Sequence, residues 1–318
     1  MRSLTVVCPV YNEEPVILEF HDELKKALAG LTGWTWRVLY VVDRGTDRSL
    51  DLLRALAGAD ATVSVLALSS RFGQQAALLA GLDHSDADAV VMLDSDLQHP
   101  PAVIPELVAR HLQGYDVVYT VRERDASLPL VKRWSARAFY GLLNAVSDTP
   151  IRQGAADFRL LARPVVEVFQ KQVRERTLFL RGLVNWVGFR SSGVRFRPAA
   201  RHGGKTKYPV ARMLRFALTG LVSFSRFPLR AAGGVGLALV ASGLVTGVLA
   251  LADVYEGWAA ERAILLTAIF LVGGAQLVFT GVFGEYLGAV LDEVRARPHY
   301  IVEERIHLEP LVPGRAGS

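Results

Sequence analysis

The chain of 318 residues has a single cysteine, Cys8. That excludes an intramolecular disulfide framework and any zinc site built from several thiolates, and it points to a reducing compartment in which stability rests on packing. Charged residues are scarce at 21% against 51% hydrophobic, which excludes a disordered chain, and the length suits one or two packed domains. Acidic residues are missing altogether from Arg190 to Arg230, where ten basic residues stand. The other 26 basic residues therefore face all 31 acidic ones, so the formal +5 belongs to one segment. A basic segment running into an apolar stretch suits an anionic lipid surface, at about 1 kcal/mol per basic residue, better than a nucleic acid.

Charge is also missing from two runs of 22 residues, 231–252 and 263–284. At about 1.5 Å per residue each is long enough to cross a hydrocarbon core of ~30 Å, which predicts two transmembrane helices over 231–290. The connector holds Asp253, Glu256 and Glu261, while Arg226, Arg230, Arg295 and Arg297 flank the pair. The positive-inside rule then predicts a multi-pass protein of the cytoplasmic (inner) membrane, with both termini and the preceding domain cytoplasmic. Over 209–230, Val210, Met213, Leu214, Ala217 and Leu221 recur at helical spacing and predict an amphipathic juxtamembrane helix. Residues 291–318 read as a cytoplasmic tail. No signal peptide is expected, because the apolar run Leu4–Pro9 soon meets Asn12, Glu13 and Glu14.

Residues 1–208 alternate apolar runs with helical patterns. Leu4–Val10, Arg37–Val42, Val63–Leu68, Ala89–Leu93 and Val117–Thr120 read as strands, and Val16–Leu28, Ser49–Leu56, Gln74–Leu82 and Pro101–Leu112 as helices. The alternation predicts an α/β fold, a mostly parallel sheet covered on both faces, with its ligand site beyond the carboxyl ends of the strands. Three acidic turns fall there: Pro9-Val10-Tyr11-Asn12-Glu13-Glu14, Asp43-Arg44-Gly45-Thr46-Asp47, and Asp94-Ser95-Asp96-Leu97-Gln98-His99-Pro100-Pro101. Carboxylates at i and i+2 just past a buried strand can share a hard divalent cation, although such a pair alone also serves as a capping turn. His84, His99, His111 and His202 have no metal-ligand spacing, and His99 reads as part of its turn. Gly203-Gly204-Lys205-Thr206 imitates the end of a phosphate-binding loop, but Ala199 stands where its leading glycine belongs.

These turns, together with Asp157-Phe158-Arg159-Leu160, Arg181-Gly182-Leu183, the Gly204–Tyr208 segment, Ser223-Phe224-Ser225 and Pro228-Leu229-Arg230, resemble the family-two, GT-A-fold glycosyltransferases over nearly the whole chain. They are most similar to the polyprenyl-phosphate subgroup, which includes dolichyl-phosphate mannose synthase and bactoprenol glucosyltransferase. The resemblance implies a GT-A (Rossmann-like) domain over 1–208, then the interfacial helix and the two spans. It implies an inverting hexosyltransferase that moves one sugar from a nucleotide sugar, UDP-glucose favoured and GDP-mannose the alternative, to a membrane polyprenyl phosphate. Mg²⁺ or Mn²⁺ would be the cofactor and a homo-oligomer, a tetramer, the assembly.

Carried onto this chain, the resemblance places the metal on Asp94, Asp96 and Gln98, and the nucleotide sugar on Pro9, Tyr11, Glu13, Asp43 and Asp94. Metal bound to the donor diphosphate neutralises charge on the departing nucleotide. Arg122, Arg133, Arg201, Lys205 and Lys207 are the cations available for the two phosphate-bearing substrates, with Arg133 assigned to the donor and the last three to the acceptor phosphate. The acceptor phosphate is already an anionic nucleophile, so Asp96, Asp157 and Arg122 carry the chemistry without a strong general base. Asp157 reads either as an orienting group or as a structural one. Arg44 departs from the family's Asp-Asp-Gly-Ser-Thr-Asp in a turn one residue shorter, where it can pair with a neighbouring carboxylate or reach the diphosphate. A processive polysaccharide synthase would carry more spans and a Gln-x-x-Arg-Trp motif, which the chain lacks. A catalytically silent membrane scaffold of the same fold has Arg44 alone in its favour, against intact Asp94, Asp96, Gln98 and Asp157.

Overall fold

The computed structural model describes residues 1–122, 155–175, 180–196, 238 and 258–308. The chain divides into two units. The first holds an eight-stranded sheet of β1 (Arg2–Val10), β2 (Trp34–Val42), β3 (Val63–Leu68), β4 (Ala89–Met92), β5 (Val117–Arg122), β6 (Ala155–Ala162), β7 (Ser191–Phe196) and β8 (Val302–Ile306). Their order is β7-β5-β6-β4-β1-β2-β3-β8. β4, β1, β2 and β3 are parallel neighbours, and β6 runs antiparallel between β4 and β5. β7 pairs parallel with β5, so that β6 and β8 alone oppose the other strands.

The helices are α1 (Ile17–Ala29), α2 (Ser49–Ala59), α3 (Gln74–Asp83), α4 (Ile104–Leu112) after one 3₁₀ turn, α5 (Arg163–Lys171) and α6 (Leu180–Trp186). The mostly parallel α/β sheet expected from the alternation is present, and the five strands and four helices read from it fall close to their expected bounds. The physical cause is burial on both faces, which makes the central strands near-continuous apolar runs. On one face Leu4, Val6, Cys8 and Val10 of β1 pack with Phe20 and Leu24 of α1, Leu53 of α2 and Leu107 of α4.

On the other face α3 lies so close to β1 that a Cβ on Gly81 would stand 2.1 Å from Val7 Cγ1. Val7 is fully buried in a strand paired on both sides and has no room to yield. Gly81→Ala is therefore expected to lower stability by about 1–3 kcal/mol through overpacking. Gly58→Ala in α2, where nothing lies within 4 Å of the added carbon, is expected to raise it by about 0.5–1 kcal/mol. Urea unfolding of the two variants checks the contrast, and equal effects would refute it.

Three strands fall outside the simple alternation. β6 and β7 extend the sheet beyond β4, and β8 comes from the segment that reads as a tail. β8 covers the outer edge of β3, which explains why β3 is buried at every position. Its approach is anchored: Tyr300 O–H donates to Asp83 Oδ2 at 2.8 Å, and Arg174 donates to both Asp83 oxygens at 2.9 Å.

In the second unit the described element is α7 (Trp258–Arg295), which contains the second uncharged run. Among the described residues no helix is long and apolar enough to cross a membrane. The multi-pass inner-membrane placement, with its cytoplasmic termini and transmembrane helices, is corrected accordingly. The helix that contains the second run also carries Glu261, Arg262, Glu285, Asp292 and Glu293. The first run, but for Ala238, and the juxtamembrane helix lie outside the described residues.

Candidate active site

The carboxyl ends of β1, β2 and β4, with the turn after β3, enclose a cavity of about 280 Å³. Pro9, Tyr11, Glu13, Asp43, Arg71, Gln74, Asp94, Ser95 and Asp96 line it. β1 pairs with β4 as far as Val7 and Met92, so Pro9 costs no ladder bond on that side. The Pro9 carbonyl instead accepts the Ser95 hydroxyl at 2.9 Å, tying the turn after β4 to β1.

Within that turn Leu97 has φ 58°, a left-handed conformation that costs a non-glycine residue roughly 1–2 kcal/mol. Burial of its side chain in the core offsets that cost, and the bend brings Gln98 back onto Asp96. Asp96 Oδ1 accepts the Gln98 backbone N–H at 3.0 Å, and Oδ2 accepts Gln98 Nε2 at 2.6 Å. Gln98 thus orients Asp96, and its side-chain carbonyl is the atom with ligand chemistry. Asp94 Oδ1 accepts Gln74 Nε2 at 2.6 Å, and its Oδ2 lies 3.7 Å from His99 Nδ1. His99 packs against Phe158 and Phe196, with ring centroids 5.9 and 5.4 Å away.

Asp43 is 3% exposed, and its oxygens accept the backbone N–H groups of Phe72 at 2.7 Å and Gly73 at 2.9 Å. The carboxylate expected to meet the nucleobase therefore also clamps the loop after β3, where Gly73 takes φ 92°. In that loop the Arg71 guanidinium lies 4.2 Å from the centre of the Tyr11 ring, a cation–π contact. Arg71 and Gln74 are absent from the sequence-based candidates because no carboxylate marks their turn. Its position after a parallel strand, at the edge where the other three turns lie, was the available signal.

The first two turns interlock. Asn12, at φ 57°, accepts the Thr46 N–H at 2.8 Å, and a Cβ on Gly45 would stand 2.3 Å from Asn12 Oδ1. Asp47 accepts the N–H of Glu14 and both the N–H and O–H of Ser49. Arg44 leaves the cavity: Nη1 donates to the Ser69 carbonyl at 2.8 Å and lies 3.9 Å from Glu303. Pairing with a carboxylate, one of its two expected roles, is present here.

Glu13 is half-buried, and burial first, then the charges of Asp96 and Asp47, push its carboxyl up to about 7 from 4.5. A raised value in the folded state favours folding most below pH 4.5, and the contribution is lost as pH rises through about 7. Glu13→Gln is accordingly expected to raise the melting temperature of the metal-free protein at pH 8 and to leave it unchanged at pH 4.5. Thermal melts at the two pH values decide, and an equal shift at both would exclude the electrostatic cause.

The structure does not place Asp157 in the cavity lining. It stands on β6, with Oδ1 3.4 Å from Nη2 of the buried Arg159. Arg122 is the last residue of β5. Arg133, Arg201, Lys205 and Lys207 lie outside the described residues. Among the described residues no group of three or more His, Cys, Asp and Glu stands ready for a metal ion. Mg²⁺ needs less, since one or two carboxylates together with substrate phosphates hold it. Asp94 and Asp96, on one cavity wall, meet that requirement.

In open, mostly parallel α/β sheets ligands bind in the crevice beyond the carboxyl ends of the strands, which is where this cavity lies. Residues 5–169 match the family model described as glycosyl transferase family 2. An uncharacterised glycosyltransferase of Bacillus subtilis is 36% identical over 96% of this chain and 94% of its own. A prophage bactoprenol glucosyl transferase homolog of Escherichia coli and the bactoprenol glucosyl transferase of Shigella phage SfII are each 35% identical, over 95% of this chain and 98% of theirs. The chain belongs to glycosyl transferase family 2 and is a glycosyltransferase.

Proposed function

We propose that the enzyme transfers one glucose from UDP-glucose to a polyprenyl phosphate, with inversion, giving a polyprenyl-phosphate-linked monosaccharide. The observation that carries this is the convergence of Asp94, Asp96 and Arg71 on one cavity at the sheet's carboxyl edge. Two carboxylates for a cation and a guanidinium for phosphate oxygens are the groups a sugar diphosphate requires. Glucose and bactoprenol stand in the names of relatives that align over nearly their full length, which supports carrying both to this chain.

In this reading Pro9, Tyr11 and Glu13 wall the nucleotide, and Asp43 faces the base while holding the Arg71 loop. Asp94 and Asp96 would hold Mg²⁺ or Mn²⁺, with Gln98 orienting Asp96. When bound, the cation would supply neutralisation of the leaving diphosphate. Arg71 joins Arg122 and Arg133 as a cation for the donor, and Arg201, Lys205 and Lys207 take the acceptor phosphate. That phosphate needs no base to become a nucleophile, so Asp157, beside Arg159, serves to orient rather than to remove a proton. Residues 1–208 and the returning strand β8 form the catalytic domain.

The test is transfer of labelled sugar from a panel of UDP- and GDP-sugars into lipid-extractable product. Full-length protein is supplied with polyprenyl phosphate and Mg²⁺ or Mn²⁺, with chelator as control. A glucolipid from UDP-glucose, lost with chelator, is the expected result. Folded protein that makes no product from any donor overturns the reading.

A further inference from the structure

The loop from Ser69 to Gln74 touches the candidate site at several points. Phe72 and Gly73 donate to Asp43, Gln74 donates to Asp94, and Arg71 covers Tyr11. Its stem is held from outside the site. The Ser69 N–H donates to the Ile301 carbonyl at 2.9 Å, continuing the β3–β8 ladder by one bond, and the Ser69 carbonyl accepts Arg44 Nη1. Both backbone groups of the residue that opens the loop are thus engaged by the C-terminal strand segment and by Arg44.

The β8 register carries a second sign of this arrangement. Ala67 faces Glu304 and Leu68 faces Val302, so Glu303 is the extra residue of a β-bulge. Bulges twist a strand locally and re-aim a side chain, and this one stands where the Glu303 carboxylate comes within 3.9 Å of Arg44. Its neighbour Glu304 turns instead to Arg54, accepting from Nη2 at 2.6 Å and from Nε at 3.1 Å, which fastens the strand to α2. An exposed ion pair at 3.9 Å contributes little on its own. Its effect here is to bias the Arg44 side chain toward Ser69.

We infer that Arg44 and the C-terminal strand form a positioning device for the donor site, fixing the stem of the Ser69–Gln74 loop so that Arg71 and Gln74 stand ready for the nucleotide diphosphate. Arg44 is therefore a positioning residue, acting through Ser69 and touching no substrate. The donor half of this inference rests on the proposed function, whereas the mechanical half does not.

The experiment uses the full-length protein with Arg44→Ala and Arg44→Lys, and has two readouts. Amide hydrogen exchange over 69–77 reports the loop itself, and calorimetric titration with UDP in the presence of Mg²⁺ reports the site. For Arg44→Ala, exchange at Phe72 and Gly73 is expected to rise about fivefold and UDP affinity to fall by a similar factor, the worth of one ordinary hydrogen bond. Exchange in β1 and β4 stays unchanged, and Arg44→Lys, which keeps a cationic donor, recovers most of both effects. Unchanged exchange at Phe72 and Gly73 overturns the inference whatever the activity. Faster exchange with unchanged UDP affinity overturns its donor half. A wild-type protein that binds no UDP refutes the proposed donor class, while the exchange result still decides whether Arg44 fixes the loop.

Discussion

Asp96→Ala is expected to reduce sugar transfer by about a thousandfold, the scale on which a single preorganised electrostatic group acts on developing charge. Asp96 lines the cavity, and both of its oxygens are aimed by Gln98. Removing it takes one of the two carboxylates proposed for the cation and leaves a diphosphate to depart without full neutralisation. Removing the side chain frees the Gln98 N–H, at about 1 kcal/mol, and lifts one of the charges that oppose ionisation of Glu13. Stability at pH 8 is therefore expected to change little while activity collapses. Gln98→Ala, which removes the hydrogen bond from Nε2 to Asp96 and leaves the carboxylate, is expected to cost only about tenfold, the lower end of what losing a group that orients a metal ligand costs. Initial rates at saturating UDP-glucose, paired with thermal melts, separate these outcomes. Near-normal turnover by Asp96→Ala would remove Asp96 from the metal site.

Asp43→Ala is expected to lower stability by about 3 kcal/mol and UDP affinity by more than tenfold. Two backbone N–H groups lose their charged acceptor, and each such loss in a partly buried setting costs about 1–3 kcal/mol. The affinity falls because the same loop carries Arg71 and Gln74. Asp43→Asn keeps one acceptor oxygen and should lie between wild type and Asp43→Ala in both measurements. Urea midpoints and UDP titration together separate two roles for this residue. A carboxylate that served base recognition alone would alter affinity and leave the urea midpoint where it was.

Most of the candidate site was legible in the sequence, for a physical reason. Parallel strands buried on both faces leave their polar chemistry to the turns at their carboxyl ends, so Pro9, Tyr11, Glu13, Asp43, Asp94 and Asp96 could be read as neighbours from three separate stretches of chain. Arg71 and Gln74 escaped because a lone cation or amide in a turn has no signature of its own. Their meaning comes from Tyr11 and Asp94, more than 15 residues away in sequence. Asp157 was legible as a motif and not as a role, since its contact with Arg159 and its absence from the cavity lining are matters of strand placement.

The sequence by itself determined the alternating α/β layout and the edge of the sheet that bears the candidate site, because periodicity and turn chemistry are local properties of the chain, and its motifs carried the family resemblance. Tertiary structure alone decided that β6 enters between β4 and β5, and that residues 302–306 return to close the edge of β3. It also decided that Arg44 turns toward Ser69 and Glu303 rather than into the cavity. A strand of five residues with three charges, at the far end of the chain, finds its place through a partner more than 230 residues away. Such pairings are set by which edge remains open once the core has packed, and no local pattern encodes them.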